Sequence, residues 1–127
     1  MKSFLDKAHE RLGDLPFIGE DLGTITPAVR FLVALTGFPG MDVVQFYNED
    51  VRQGYEPVPG KICYPSTHDT QTLLGWIRDK WPYDNAEHVY RELMGRCMHS
   101  SADVVIVALQ DVLVLGDEAR MNVPGVS

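Results

Sequence analysis

The stretch DVVIVAL, residues 103–109, decides the fold class. Val104, Val105, Ile106 and Val107 follow one another with no polar residue between them. An unbroken β-branched run of this kind is the pattern of a strand buried on both faces, as in a parallel sheet covered by helices. Upstream, Val89, Tyr90, Leu93, Met94 and Cys97 recur at helical spacing and predict a helix over 86–98. Leu73, Leu74, Trp76 and Ile77 predict another over 70–80, and Lys61–Tyr64 reads as a strand ahead of it. Residues 48–60 are polar and rich in Gly and Pro, hence a loop, and Met41–Tyr47 is a further strand after the turn at Gly37, Pro39 and Gly40. Thr26-Pro27 opens a helix, because Thr26 can cap free N–H groups and Pro27 has its φ preset and needs no donor there. Val29, Leu32, Val33 and Thr36 form its inward face, and Gly37 ends it. Residues 15–19 read as a short buried strand, and Phe4, Leu5, Ala8 and Leu12 as a first helix stopped by Gly13. After residue 109 the chain begins as a short helix or turn and trails into a loop. Strands alternating with helices make this an α/β chain of parallel units. Four such units are about half of a (β/α)8 barrel, which needs about 250 residues. A doubly wound open sheet is the structural competitor, but no Gly-rich phosphate loop follows any strand.

The composition fits one domain spanning residues 1–127, with 45% hydrophobic and 23% charged residues, a globular balance and not a disordered one. A net charge of −7 and no basic run make nucleic acid an unsuitable partner. No apolar run approaches the roughly 18 residues of a membrane span, so no membrane partner is expected. Asp6, Lys7, His9 and Glu10 interrupt the start of the chain, which leaves no signal-peptide core. Cys63 and Cys97 lack ligand spacing and read as reduced, half-buried thiols of a cytoplasmic protein. His9, His88 and His99 read as surface or helix-packing residues, and neither a metal nor a cofactor is expected.

In parallel α/β folds functional groups collect where strands finish. Here those ends read Glu20-Asp21, Gln45-Phe46-Tyr47, Thr67-His68-Asp69 and Gln110-Asp111. Aromatic faces stack on the C–H groups of sugar rings, while Asp, Gln and His bond their hydroxyls. Paired carboxylates flanking a glycosidic bond are the machinery of glycoside chemistry. The plainer reading of Glu20-Asp21 is a solvated turn, with Asp21 favouring the dipole of the following helix. Trp76 and Tyr90 read as core aromatics, not sugar platforms, and Met94 and Met98 as core filler.

Five blocks make the reading specific: GEDLGTITPAV, GFPGMDVVQF, STHDTQTLLGW, ADVVIVALQD and LGDEARMNVPG, in this order. Together they closely resemble 4-α-glucanotransferases of the amylomaltase, or disproportionating-enzyme, type (glycoside hydrolase family seventy-seven). The resemblance runs from about Leu15 to Gly125. It implies a (β/α)8 barrel that cuts an α-1,4-glucan or maltooligosaccharide and passes the glucosyl segment to the 4-hydroxyl of another, with retention. It implies Glu20 as general acid/base, and Asp69 as the carboxylate that holds substrate hydroxyls and stabilises the transition state. It also implies His68 as a sugar-binding residue, Asp21 as an acidic neighbour in the site, Phe46 as part of the groove lining and Asn122 as a polar group on the acceptor side. Gly19 and Gly23 are then expected to let the backbone turn beside Glu20.

Three departures qualify the resemblance. Thr70 stands where the family more often has Asn, and the loop 48–60 is short. The family's nucleophile block, of R-x-D-H type, does not occur in these 127 residues. A retaining mechanism needs that nucleophile, so the expectation is a partial catalytic barrel, truncated at both ends relative to the family and inactive alone. A non-catalytic glucan-binding or regulatory module is the alternative. Half a barrel also leaves open strand edges, which predicts self-association unless the N-terminal helix covers them. Asp117, Glu118 and Arg120 suggest a local ion-pair turn, with Arg120 also able to order the Asn122 loop.

Overall fold

The computed structural model describes residues 3–13 and 17–126, the side chains of 48–50 aside. The chain forms two compact units, Met1–Met41 and Asp42–Ser127.

In the first unit, helix α1 (Phe4–Leu12) starts at Ser3 through a capping box. Asp6 N–H donates to Ser3 Oγ at 3.2 Å, and Ser3 N–H donates to the Asp6 carboxylate at 2.9 Å. Gly13, at φ 70°, ends it as the sequence predicts. Helix α2 (Pro27–Thr36) has the expected Thr26 cap, Pro27 in its first turn and left-handed Gly37 at its end. Val29, Val33 and Thr36 are half-buried, but Leu32 is exposed together with Phe31 and Leu35. The helix carries apolar residues on two sides, so spacing alone cannot say which side is covered. Of the strand expected over 15–19, Leu15 and Pro16 lie outside the described residues, and 17–19 form no strand. Gly19 N–H donates to the Pro39 carbonyl at 2.8 Å, and the Phe17 ring meets Phe38 edge-on at 5.2 Å.

The second unit is built on a three-stranded sheet, β1 (Met41–Val43, starting at the unit boundary), β2 (Ile62–Tyr64) and β3 (Val104–Val105), in the order β1-β2-β3. β2 and β3 run parallel, with Ile62 opposite Val104 and Cys63 opposite Val105. A parallel pair needs a long crossover, which α3 (Leu73–Lys80) and α4 (Ala86–Met98) provide. The α/β class with parallel strands is therefore as expected. α4 keeps the predicted bounds, with Asn85 as its cap. α3 begins later than predicted, because Thr67–Thr70 closes a turn and Thr72 Oγ accepts Gly75 N–H at 3.1 Å.

Two strands are shorter than the sequence suggests. β1 stops at Val43 and continues as a 3₁₀ helix, Val44–Gln53, where a strand to Tyr47 and then a loop were expected. The cause is a fold-back. The Tyr47 hydroxyl donates to Asp42 Oδ1 at 2.6 Å, and its ring lies 4.4 Å from that of Tyr55. β3 holds two residues, extended by one bond from Ile106 N–H to the Cys63 carbonyl at 2.9 Å. Its two-faced burial is also corrected. Val105 packs on the core, while Val104 and Ile106 are 45% and 38% exposed, the alternation of a strand covered on one face.

The core joins Leu73, Trp76 and Ile77 of α3 to Val89, Tyr90 and Leu93 of α4. Trp76 and Tyr90 are core aromatics as expected, and Trp81 meets Trp76 edge-on. Met94 packs against the core, but Met98 faces outward. Cys63 and Cys97 are free and fully buried, not half-buried. The hydrogen bond shared with Cys63, and then burial, hold the Cys97 thiol above its ordinary range. His9, His88 and His99 are exposed.

Candidate active site

β2 runs into the segment that carries His68 and Asp69. Thr67 N–H donates to Thr70 Oγ at 2.9 Å, and Asp69 N–H donates to Thr67 Oγ at 3.3 Å. This turn holds His68 and Asp69 outward. The Asp69 side chain is 44% exposed, and His68 Nε2 lies 3.4 Å from its Oδ1. Asn122 Nδ2 donates to the same Oδ1 at 2.5 Å. Arg120 closes the arrangement from behind. Its Nη2 donates to the Asp69 carbonyl at 3.0 Å and its Nε to the Asn122 carbonyl at 2.9 Å. Arg120 thus orders the Asn122 loop, as the sequence suggests, and also grips Asp69, which the sequence reading missed. Its position two residues before Asn122 was the available signal.

The local ion-pair turn at Asp117, Glu118 and Arg120 does not form. Asp117 instead binds the start of α3, accepting Thr72 N–H at 3.1 Å and Gln71 Nε2 at 2.7 Å. Glu118 accepts Gly116 N–H at 2.9 Å. Gly75 leaves room for the Asp117 carboxylate, which a Cβ there would strike.

Beside this cluster lies a cavity of about 500 Å³. Thr67, His68, Gln110 and Arg120 give it polar points, and Leu113, Leu115 and Met121 an apolar wall. A few polar groups converging on an apolar hollow are the usual composition of a small-molecule site.

Asp111 corrects the strand-end reading. It sits on the short helix α5 (Leu109–Val112) and is fully buried, so no ligand reaches it. The Ser66 hydroxyl donates to its Oδ2, Leu73 N–H donates to its Oδ1 at 2.7 Å, and the Tyr90 hydroxyl donates to its carbonyl. Burial pushes its carboxyl above the ordinary value, against the pull of the Ser66 and Leu73 hydrogen bonds. The Gln45-Phe46-Tyr47 group also divides. It lies on the 3₁₀ helix and not at a strand end. Gln45 donates to the Gln71 carbonyl at 2.8 Å, Tyr47 binds Asp42, and Phe46 alone is well exposed, at 55%.

Glu20 and Asp21 belong to the first unit. Glu20 is exposed. Asp21 Oδ1 accepts Met41 N–H at 2.7 Å. Gly40 must lack a side chain here, because a Cβ would meet the Asp21 carboxylate. Gly23 takes φ 82° as expected, whereas Gly19 is not left-handed. The structure therefore brings His68, Asp69 and Asn122 together. No hydrogen bond or ring contact among the described residues joins Phe46 to them. Among those residues no group of three His, Cys, Asp or Glu side chains could hold a metal ion, and no helix is long and apolar enough to cross a membrane.

Comparison with known proteins converges on one family. The 4-alpha-glucanotransferase family profile matches residues 1–127. The 4-alpha-glucanotransferase of Thermus thermophilus is 37% identical over 146 residues, covering 98% of this chain and 29% of the relative. The chloroplastic/amyloplastic 4-alpha-glucanotransferase of Solanum tuberosum is 32% identical over 139 residues, covering 97% of this chain and 24% of its own. The amylomaltase from Streptococcus agalactiae, solved in complex with acarbose, superposes with a TM-score of 0.69 at 27% identity, covering 96% of this chain and 28% of that one. The chain thus spans under a third of the length of these relatives.

Proposed function

Because this chain belongs to the 4-alpha-glucanotransferase family, we propose that it carries the acid/base and substrate-holding part of a site that transfers α-1,4-glucan segments between maltooligosaccharides with retention. The observation that carries this reading is Asp69, half-exposed and held by Asn122 and Arg120 beside His68 at the edge of the cavity. Held this way, its carboxylate is oriented before a ligand arrives, which is what transition-state stabilisation needs. The Asp69 carboxylate bonds sugar hydroxyls, and those bonds strengthen as the ring flattens toward an oxocarbenium ion. His68 bonds a neighbouring hydroxyl, Asn122 serves the acceptor side, and Phe46 offers an exposed ring to the glucan groove. Glu20 protonates the leaving oxygen and later takes the proton of the acceptor's 4-hydroxyl. The bond from Met41 N–H to Asp21 supports the loop that presents Glu20. Retention also needs a nucleophilic carboxylate, and this reading draws it, with the rest of a (β/α)8 barrel, from outside these 127 residues. The complex of the Streptococcus relative with acarbose supports a glucan-like ligand. Two free cysteines support a cytoplasmic location.

The test is a maltotriose titration of this chain, followed by NMR with analysis of the products. Saturable shifts at His68 and Asp69, without glucose or longer oligosaccharides, are expected. No shift at millimolar maltotriose overturns the ligand assignment. Longer products overturn the need for residues from outside.

The same reading includes self-association through the sheet edge at β3, where Val104 and Ile106 are exposed. Light scattering should show a mass that rises with concentration. A constant monomer mass at high concentration removes this part of the proposal.

A further inference from the structure

We propose that Asp111 is a positioning residue for the His68–Asp69 loop, holding both of its ends with one buried carboxylate. Ser66 and Leu73 bracket residues 67–72, and both donate to Asp111: Ser66 through its hydroxyl, Leu73 through its N–H at 2.7 Å. The two anchor points use different oxygens, so the carboxylate spans the base of the loop. Asp111 is itself fixed. The Tyr90 hydroxyl donates to its carbonyl, which ties α5 to α4 and so to the core. Leu73 N–H is also one of the donors that the first turn of α3 cannot satisfy internally, and Asp117 accepts its neighbour, Thr72 N–H, at 3.1 Å. Two carboxylates therefore take successive N–H groups where the loop becomes helix, but only Asp111 also reaches the end that leaves β2.

A fully buried carboxylate is a costly way to fill a core, because an apolar residue of similar volume carries no desolvation penalty. The raised titration of Asp111 reflects that penalty. What the carboxylate provides in return is geometry. Two acceptor oxygens at a fixed spacing set the distance between Ser66 and Leu73, and with it the frame on which the Thr67–Thr70 turn aims Asp69. The consequence for ligand binding rests on the proposed glucan role of His68 and Asp69; the loop anchoring stands independently of it.

Amide hydrogen exchange on this chain separates local anchoring from general stability. Asp111→Ala removes both anchors, and Ser66→Ala removes one without touching the core carboxylate. Each should accelerate exchange at Thr67, Asp69 and Thr70 by about tenfold more than at Leu93 and Cys97 of α4. Asp111→Asn keeps an acceptor for Leu73 N–H and a partner for Ser66, and should restore most of the protection. Maltotriose affinity should fall about tenfold in Asp111→Ala and recover in Asp111→Asn. If Asp111→Ala does not fold, Ser66→Ala and Asp111→Asn carry the comparison. Equal acceleration in loop and core overturns the proposal, because Asp111 would then act only on global stability. A wild-type chain that ignores maltotriose overturns the glucan reading and leaves the exchange result to decide this one.

Discussion

Joined to the remainder of the Thermus thermophilus relative, with which it shares 37% identity, this chain should complete a transferase, and Glu20→Gln should lower transfer from maltotriose by about a thousandfold. Proton transfer by a positioned side chain contributes about 10²–10⁴ in rate. Gln preserves size and hydrogen bonding but has no proton to give to the leaving oxygen. Asp69→Asn should cost on the order of 10²–10³, because an oriented charge is lost where the oxocarbenium ion develops. A donor with a good leaving group tells the two apart. An activated glucosyl fluoride needs little protonation to depart, so it should rescue the first step in Glu20→Gln and leave Asp69→Asn impaired. Glu20→Gln retaining more than about a tenth of the rate, or equal rescue of both variants, would remove Glu20 from the acid/base role.

The sequence reading succeeded where the signal is local. Thr26-Pro27 and Gly37 bound α2 because caps and left-handed glycines act within one turn of the chain. α4 was legible to its last residue because apolar residues recur at helical spacing along its length. Long-range contacts decided what was missed. Nothing near Val43 announces that Tyr47 will fold back onto Asp42 and Tyr55, so β1 was read too long. The β-branched run at 104–107 carries the preference for a strand but not the number of faces that neighbours cover, so β3 was read as more buried than it is. In the site, His68 and Asp69 are neighbours in the chain and were legible together. Asn122 reaches Asp69 from 53 residues away and was reached only through family resemblance. Asp111 was read as a functional carboxylate at a strand end, because the donors that make its burial tolerable, Ser66 and Leu73, lie far upstream.

The packing that carries the site should be equally measurable. Leu93→Ala is expected to cost about 3–4 kcal/mol of unfolding free energy. Leu93 is 2% exposed, and it shares one core cluster with Leu73 and Ile77 of α3 and Tyr90 of its own helix. Removing its buried methyls loses their transfer energy and leaves a cavity, a combination that costs about 2–5 kcal/mol at buried leucines. That is a large share of the roughly 5–15 kcal/mol that holds a small domain together. Tyr83→Ala is the matched control. Its side chain is fully exposed, and its removal should stay within about 0.5 kcal/mol of wild type. Urea denaturation reads both, as a lower midpoint for Leu93→Ala with unchanged slope. The loss should also reach the loop. Tyr90, one turn before Leu93, donates to the Asp111 carbonyl, and Asp111 holds Ser66 and Leu73. Loosening α4 therefore loosens the frame under His68 and Asp69, and residues 67–72 of the Leu93→Ala protein should lose exchange protection before the strands do. A cost below about 1 kcal/mol, or a loop that keeps its protection while β2 loses its own, would mean that the site is supported from somewhere other than the α3–α4 core.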